Sequence, residues 1–189
     1  LLDGYPVLVG QAQYVGAVRL GFRLGHGRSH AGLVQRAAAV GDVLADDRDL
    51  VKLADKLGYA EAWMGEHYTI PWEPIPATDL FAATVFAQTE NIRVGTGVTL
   101  LPMHDPRLVA LRIAYLDHLS KGRLNFGIGA GGAPTDFQFF DIDYQEGEHR
   151  ERMRESIDAI QRLWTEDDPF EHNGKFWQFK VPEPMPHIP

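Results

Sequence analysis

Hydrophobic and polar positions become regularly periodic between residues 46 and 58. Apolar side chains recur there at helical spacing, the first turn is acidic, and the segment ends at a glycine. These features are typical of an amphipathic helix. The next apolar run, over 61–65, is too short for a helix and predicts a buried strand. It ends abruptly in Glu66 and His67, so the pattern places two titratable side chains at the carboxyl end of a strand.

The order of strand, loop and helix recurs along the rest of the chain. Runs rich in β-branched residues predict strands, and apolar or amphipathic runs that begin at a capping residue or a proline predict helices. Thr78 is well placed to cap one of these helices. The predicted strands are 18–22, 61–65, 91–101 and, within 122–132, a fourth strand that runs into a glycine-rich loop. The predicted helices are 46–58, 78–88, 106–119 and 149–164.

Four successive strand-to-helix units favour an α/β fold with a parallel sheet. A closed (β/α)8 barrel of the TIM type usually needs about 250 residues, whereas this chain has 189. We therefore expect residues 18–189 to form the N-terminal half of such a barrel, with about its first four units. Asn-Gly predicts a hairpin turn within 170–179, and 182–189 is typical of a proline-rich connector. Residues 1–17 carry no predicted element.

Composition narrows the classes of function. The formal net charge of -8 argues against nucleic-acid binding, which needs clustered lysine and arginine. The absence of cysteine excludes disulfides, thiolate catalysis and cysteine-ligated metals. No apolar run approaches the roughly 20 residues that a bilayer requires, and the first residues do not resemble a signal peptide. We expect a soluble, cytoplasmic protein with no membrane partner.

Glu66 and His67 are the leading candidates for chemistry. Active sites of α/β barrels lie at the carboxyl ends of the strands, and a histidine can act as acid or base near neutral pH. Neighbouring strand residues point to opposite faces, so at most one of the two faces a central site while the strand stays regular. His67 is the expected catalytic residue and Glu66 a hydrogen-bonding partner. The alternative is a surface pair just past the strand end.

Glycines define a second candidate region. The segment 127–132 matches the pattern G-x-G-x-x-G after a strand, as in dinucleotide-binding folds. Such a fold needs a helix that opens directly from the glycines, and 133–140 is predicted to be a loop. We prefer a backbone that approaches a flat ligand closely, with a plain flexible loop as the alternative. Gly97, inside the third strand, likewise indicates a bulge or a close approach by a ligand.

Two other features are expected to carry no chemistry. His26 and His30 have a spacing that suits a metal only on a helix, and the glycines that flank His26 favour a loop, so no metal site is predicted. Arg123 begins the fourth strand at the end opposite the candidate site and is expected to be structural.

Aromatic residues near the strand ends are candidates for the core or for the walls of an apolar substrate chamber: Trp63, Trp72, Phe137, Phe139 and Phe140.

Three ordered motifs, at 60–68, 91–102 and 116–129, resemble the bacterial luciferase-like flavin monooxygenases. The loop 72–76 and the hairpin at 175–177 are most similar to the branch that includes limonene and diketocamphane monooxygenases. The resemblance implies a (β/α)8 barrel that binds reduced FMN non-covalently, usually from a separate flavin reductase, and that uses O2 to oxidise a small apolar molecule such as a terpene, a ketone or an aldehyde. It covers the chain from about Val18 to the end.

The resemblance also assigns roles to individual residues. His67 matches the catalytic histidine, and Glu66 matches its neighbour beside the flavin. Gly97 and Val98 match the site of a non-proline cis peptide against which the flavin ring packs, and Thr96 precedes it. Two positions depart from luciferase: Gly129 stands where luciferase has a reactive cysteine, and Ala130 where it has a flavin-binding arginine. The expected cofactor-binding residues are Glu66, Thr96, Gly97, Val98, Gly129, Ala130 and Gly131.

Family members take phosphate-binding residues from the second half of the barrel, beyond the position of Pro189. We therefore consider weak flavin binding, a truncated polypeptide, or a barrel completed by another chain, and we expect a homo-oligomer because an open half-barrel exposes edges and apolar surface. Two alternatives to the monooxygenase stay open. One is a deazaflavin-dependent oxidoreductase that transfers hydride, and the other is a non-catalytic flavin-binding half-barrel.

Overall fold

The computed structural model describes residues 31–70 and 73–183, with side chains from Leu44 onward. The predicted strand 18–22, the histidines His26 and His30, Trp72 and most of the connector lie outside these residues. The elements, in chain order, are α1 Ala31–Lys56, β1 Glu61–Met64, α2 Thr78–Phe86, β2 Arg93–Thr96, β3 Thr99–Leu100, a 3-10 turn Leu101–Met103, α3 Pro106–Ser120, β4 Leu124–Asn125, β5 Ile128–Gly129, α4 Pro134–Phe139, α5 Glu148–Thr165, β6 Phe170–Asn173 and β7 Gln178–Val181.

The helices agree with the sequence pattern except in three places. α1 begins fifteen residues before the predicted start at Asp46; the alanine-rich segment before Asp46 has high helix propensity but little periodicity to reveal it. Ala77, and not Thr78, occupies the N-cap position of α2, and no side chain caps it. The predicted loop over 133–140 contains the six-residue helix α4, which opens with Pro134 and is too short to produce a periodic pattern.

The central sheet is parallel, as predicted. β1 pairs with β2 in a register that places Trp63 opposite Gly95, and β2 pairs with β4. β3 pairs with β5, again in parallel. Each helix between these strands returns the chain to the same end of the sheet, so the loops that follow the strands gather at one edge. Among the described residues the sheet stays open and no closed barrel is present.

Two of the predicted strands are interrupted. The strand predicted over 91–101 is split by a cis peptide bond between Gly97 and Val98, which separates β2 from β3. The segment 122–132, predicted as a strand that runs into a glycine-rich loop, contains β4 and β5 with Phe126 and Gly127 between them. Thr96 joins the two breaks: its hydroxyl donates to the carbonyl of Gly127 at 2.7 Å and accepts from the N–H of Gly127 at 3.0 Å.

The two faces of the sheet are covered differently. One face packs against α2, α3 and α5 in a core that includes Met64, Val94 and Leu124. Side chains alternate along a strand, so Trp63 lies on the other face. There it covers Gly95, where an added Cβ would come within 2.3 Å of the indole ring. On the second face, the large indole ring of Trp63 therefore occupies the space that the absence of a side chain at Gly95 leaves open.

The chain after α5 forms the predicted hairpin from β6 and β7. Its turn rests on α5, where the carboxylate of Glu155 accepts hydrogen bonds from the backbone N–H groups of residues 175–177. Phe179 of β7 lies under the guanidinium of Arg107 on α3. No helix in the described part of the chain is long and apolar enough to cross a membrane.

Candidate functional site

The candidate site lies where the loops after β1, β3 and β5 meet. The loop after β1 carries Glu66, His67 and Tyr68, the turn after β3 leads to His104, and α4 follows β5 and carries Asp136. The strands are parallel, so these loops emerge at one edge of the sheet. The expectation that His67 and Glu66 lie at the carboxyl end of a strand is confirmed, since β1 ends at Met64.

Glu66 is buried and forms a cluster with Tyr68 and His104. Its side chain is only 2% exposed, which rules out the alternative of a surface pair. Its Oε1 atom accepts a hydrogen bond from the hydroxyl of Tyr68 and lies 2.6 Å from Nε2 of His104. Burial, followed by the hydrogen bond to Glu66, raises the pKa of the Tyr68 hydroxyl well above its ordinary value, so Tyr68 stays a donor at neutral pH.

His67 points away from Glu66 and is held between two other carboxylates. Its Nδ1 atom lies 2.8 Å from Oδ2 of Asp136, and its Nε2 atom lies 3.0 Å from Oε2 of Glu73. The backbone N–H of His67 donates to the carbonyl of Ile75 at 3.3 Å. The two adjacent residues therefore pair with different groups, and Tyr68 links them, because its hydroxyl donates to Glu66 and its backbone N–H donates to Asp136. Of the two carboxylates beside the His67 ring, Glu73 is the solvent-accessible one.

Asp136 is the most firmly bound side chain of the site. Its Oδ1 atom accepts from the backbone N–H groups of Tyr68 at 3.2 Å and Thr69 at 2.8 Å, and from the Thr69 hydroxyl at 2.6 Å. Burial by itself would raise the pKa of Asp136, but the hydrogen bonds from Thr69 and His67 outweigh it and lower the pKa below its ordinary value. Asp136 is therefore a buried carboxylate that stays ionised.

The predicted glycine region lies beside these carboxylates. The N–H of Gly97 donates to the carbonyl of Met64 at 2.6 Å, two residues before Glu66. The cis geometry expected at Gly97 and Val98 is confirmed. Gly97 is exposed and Val98 is half-buried, so the peptide between them is open to a ligand. Gly129 packs against Val98, where an added Cβ would come within 2.5 Å of Cγ2.

The remaining predicted residues have different surroundings. Ala130 and Gly131 follow directly on β5, and Gly131 has a φ of +85°, which a glycine adopts without strain. The Thr96 hydroxyl is occupied by Gly127, so its side chain is not free to meet a ligand. Arg123 is structural, as predicted, because its guanidinium donates to the carbonyl oxygens of Phe86, Ile92 and Ser120.

Four site residues were not predicted from the sequence. His104 and Asp136 follow the ends of strands β3 and β5, so the rule that led to His67 would also have found them. Tyr68 follows the predicted pair directly. Glu73 lies in a proline-rich loop without periodicity, and the family resemblance of the loop 72–76 assigned it no role. Phe140 closes the region from one side, with its ring 4.6 Å from that of Tyr68.

Comparison with known proteins places this geometry in context. Residues 20–189 match the sequence model of a protein family that is described as luciferase-like monooxygenase. Two similar curated proteins are 4-hydroxyprotoasukamycin monooxygenase from Streptomyces nodosus subsp. asukaensis, 46% identical over 65% of this chain, and limonene 1,2-monooxygenase from Rhodococcus erythropolis, 42% identical over 62% of it. The aligned parts are 33% and 30% of those proteins, so the chain spans about a third of their length.

A solved structure is similar over most of the described chain. It is the oxygenating constituent of 3,6-diketocamphane monooxygenase from Pseudomonas putida, a type II Baeyer-Villiger monooxygenase in complex with FMN. The two chains superpose with a TM-score of 0.71 at 29% identity, over 83% of this chain and 40% of the other. The limonene and diketocamphane branch suggested by the sequence motifs is therefore confirmed as the neighbourhood of this chain.

Proposed function

Because the chain belongs to the luciferase-like monooxygenase family, we propose that it carries the flavin site of a monooxygenase that uses reduced FMN and O2. The observation that carries the proposal is the exposed backbone at Gly97, whose N–H donates to the carbonyl of Met64 and which therefore lies beside the loop of Glu66 and His67. A flat ring can rest on a backbone without side chains, while titratable groups stand at its edge. The relative described as a complex with FMN supports this cofactor.

The residues present fit a flavin ring. Gly97 and Val98 would support one part of it, and Gly129, Ala130 and Gly131 would border another. A side chain at position 129 would collide with Val98, so the surface depends on this glycine. When bound, reduced flavin supplies the electrons with which O2 is activated. The chain's own contribution is to exclude water around the ring and to hold a proton at Nε2 of His67.

Three finer features belong to the same proposal. The parallel strands β1–β5 are part of the first half of a (β/α)8 barrel, whose active site would lie at the edge where His67 stands. The substrate is a small apolar molecule such as a terpene, a ketone or an aldehyde. A separate flavin reductase supplies the reduced cofactor, and the description of the FMN-bound relative as an oxygenating constituent supports a system of more than one component.

We also propose that the protein forms homo-oligomers. Helix α3 exposes a line of apolar side chains at helical spacing, which we call the α3 stripe: Leu108, Leu111, Tyr115 and Leu119. Contiguous exposed apolar side chains of this kind mark association surfaces in soluble proteins.

A flavin titration tests the cofactor. Fluorescence of the chain, which includes Trp63 next to Gly97, is followed while FMN, reduced FMN or the deazaflavin is added. We expect saturable quenching with FMN, tighter binding of its reduced form, and weaker binding in Gly129→Val because the side chain displaces Val98. Tighter binding of the deazaflavin than of FMN would favour the hydride-transfer alternative.

Activity is tested separately from binding. With a flavin reductase and an apolar ketone or alkene, consumption of O2 and formation of oxidised product are measured for the wild type and His67→Ala. We expect product formation to fall by about 100-fold or more in the variant, the usual contribution of a general acid or base. Equal product formation would remove His67 from the mechanism. Flavin binding with no product in the wild type would favour the non-catalytic alternative.

A further inference from the structure

The imidazole of His67 is engaged on both sides at once. Nδ1 faces Asp136 at 2.8 Å and Nε2 faces Glu73 at 3.0 Å. A neutral imidazole has one N–H, so only the doubly protonated ring can donate to both carboxylates together. When the ring is neutral, one of the two contacts must lose its proton. The surroundings of the two carboxylates decide which one does.

Asp136 keeps its hydrogen bond with Nδ1 of His67 when the ring is neutral. Its side chain is 1% exposed and accepts from Thr69 and from the N–H of Tyr68 as well as from His67. These donors keep it ionised, and an ionised carboxylate can only accept. The proton on Nδ1 is therefore held in place, and it fixes the orientation of the ring.

Glu73 is placed differently. Its side chain is 37% exposed, and His67 is the only side chain in the described part of the chain to which its carboxylate is seen to pair. Oε1 lies near Gly65, where an added Cβ would be in ordinary contact with it at 3.6 Å, so no side chain on that residue covers the carboxylate. A carboxylate that touches both the imidazole and bulk water can carry protons between them.

We propose that Asp136 is a positioning residue that holds His67 in the Nδ1–H tautomer, and that Glu73 exchanges the Nε2 proton of His67 with solvent. In the exchange step the N–H bond at Nε2 breaks and an O–H bond forms at Glu73, which leaves a neutral imidazole and a neutral carboxyl group. Glu73 then transfers the proton to water and becomes a carboxylate again. The inference rests on the proposed function, in which His67 handles the proton of the reaction.

The role of Asp136 is tested on the chain without flavin, by 15N chemical shifts of the histidine rings, which distinguish the two neutral tautomers. We expect the Nδ1–H tautomer of His67 to predominate in the wild type. In Asp136→Asn the amide can donate to Nδ1, so the Nε2–H tautomer should become the major form, with the pattern of backbone amide signals otherwise retained. An unchanged tautomer ratio in a folded Asp136→Asn variant overturns the assignment.

A second variant covers the case in which Asp136→Asn does not fold. Thr69→Val removes a donor from Asp136 and leaves both contacts of the ring in place. Without this competing donor the Asp136 carboxylate is a stronger acceptor for the proton on Nδ1, so the tautomer ratio should shift further toward the Nδ1–H form. A shift toward the Nε2–H form overturns the assignment. Because no cofactor is present, failure of the proposed function leaves this measurement intact.

The role of Glu73 is tested in two ways with Glu73→Gln, and Glu90→Gln serves as a control because Glu90 is an exposed carboxylate elsewhere. Magnetisation transfer from water should show slower exchange of the His67 ring proton in Glu73→Gln only. In the reductase-coupled assay, product formation should fall by about tenfold or more and recover when a small carboxylic acid buffer such as formate is added. Unchanged exchange of the ring proton, or a loss of activity that formate does not rescue, overturns the proposal.

Discussion

At the scale of single residues, Gly127 shows how closely backbones approach each other near the site. A Cβ at this position would lie 2.1 Å from the carbonyl oxygen of Thr96, whereas one at Gly132 would meet nothing within 4 Å. We expect Gly127→Ala to lower the free energy of unfolding by about 1–3 kcal/mol, because the strands must separate. Gly132→Ala should change it by less than about 0.5 kcal/mol. Urea unfolding measures both, and equal effects would contradict the close approach.

Asp47 on α1 makes stability depend on pH. It is 2% exposed, and burial, followed by the charge of Asp46, raises its pKa to about 6. Because this folded-state pKa lies above the unfolded value of about 3.9, ionised Asp47 destabilises the native state above pH 6, and the penalty disappears below about pH 4.

Asp47→Asn should therefore stabilise the protein only at higher pH. We expect the free energy of unfolding to rise by about 3 kcal/mol near pH 8, from a difference of about two pKa units at about 1.4 kcal/mol each, and to change little near pH 4. Denaturant unfolding at several pH values measures the difference. Asp46→Asn, at an exposed position on the same helix, is the matched control and should show a smaller dependence on pH. If Asp47→Asn raised the free energy of unfolding by the same amount at every pH, this would contradict a buried carboxylate with a raised pKa.

The sequence was sufficient to predict His67 but not its pairing with Asp136 and Glu73. A short apolar run that ends in a histidine is a local pattern, and strand ends are a general location of chemistry. The contact between His67 and Asp136 joins residues 69 positions apart, and Glu73 lies in a loop whose path depends on tertiary packing. Long-range partners of this kind leave no periodic trace in the sequence.

At the scale of secondary-structure elements, the hairpin β6–β7 is attached to α5 through one carboxylate. Glu155 accepts from three consecutive backbone N–H groups, at 3.0 Å from Lys175 and 2.6 Å from Trp177. Glu151 on the same helix makes only an exposed ion pair with Lys175. Hydrogen bonds to a charged acceptor stabilise more than surface ion pairs do.

Glu155→Gln should therefore loosen the hairpin, while Glu151→Gln should not. We expect Glu155→Gln to lower the free energy of unfolding by about 1–3 kcal/mol, and Glu151→Gln by less than about 1 kcal/mol. Hydrogen exchange of the amides of residues 175–177 should accelerate in the first variant only. Equal acceleration in both would mean that the ion pair, and not the N–H contacts, holds the turn.

Elements were predictable where a regular pattern lasts for several turns or residues. α3 and α5 differ from their predicted bounds by one residue at each end at most. The third strand was predicted as one element with a bulge or a close approach at Gly97, because its β-branched residues run past this glycine. In the structure it ends at Thr96 and resumes at Thr99, where the backbone contacts Met64 and Gly127. Helix α4 was not predicted, because a helix of six residues spans fewer than two turns and shows no repeated apolar spacing.

At the scale of the whole molecule, net charge and apolar surface act against each other in association. The formal charge of -8 makes copies of the chain repel one another, and this repulsion weakens as salt screens it. The α3 stripe favours contact through side chains such as Leu108 and Leu119, which are 55% and 54% exposed. Self-association should therefore strengthen with added salt, which sedimentation velocity can follow.

The double variant Leu108→Lys with Leu119→Lys separates charge from surface chemistry. It reduces the negative net charge by two, so a protein governed by repulsion alone would associate more strongly. We expect the opposite, a shift to monomer, because burying lysine at an apolar contact is costly. Leu53→Lys with Leu57→Lys, at exposed positions on and just after α1, changes the charge equally and should keep the association or strengthen it slightly. Loss of association in both double variants, or in neither, would mean that the α3 stripe is not the contact surface.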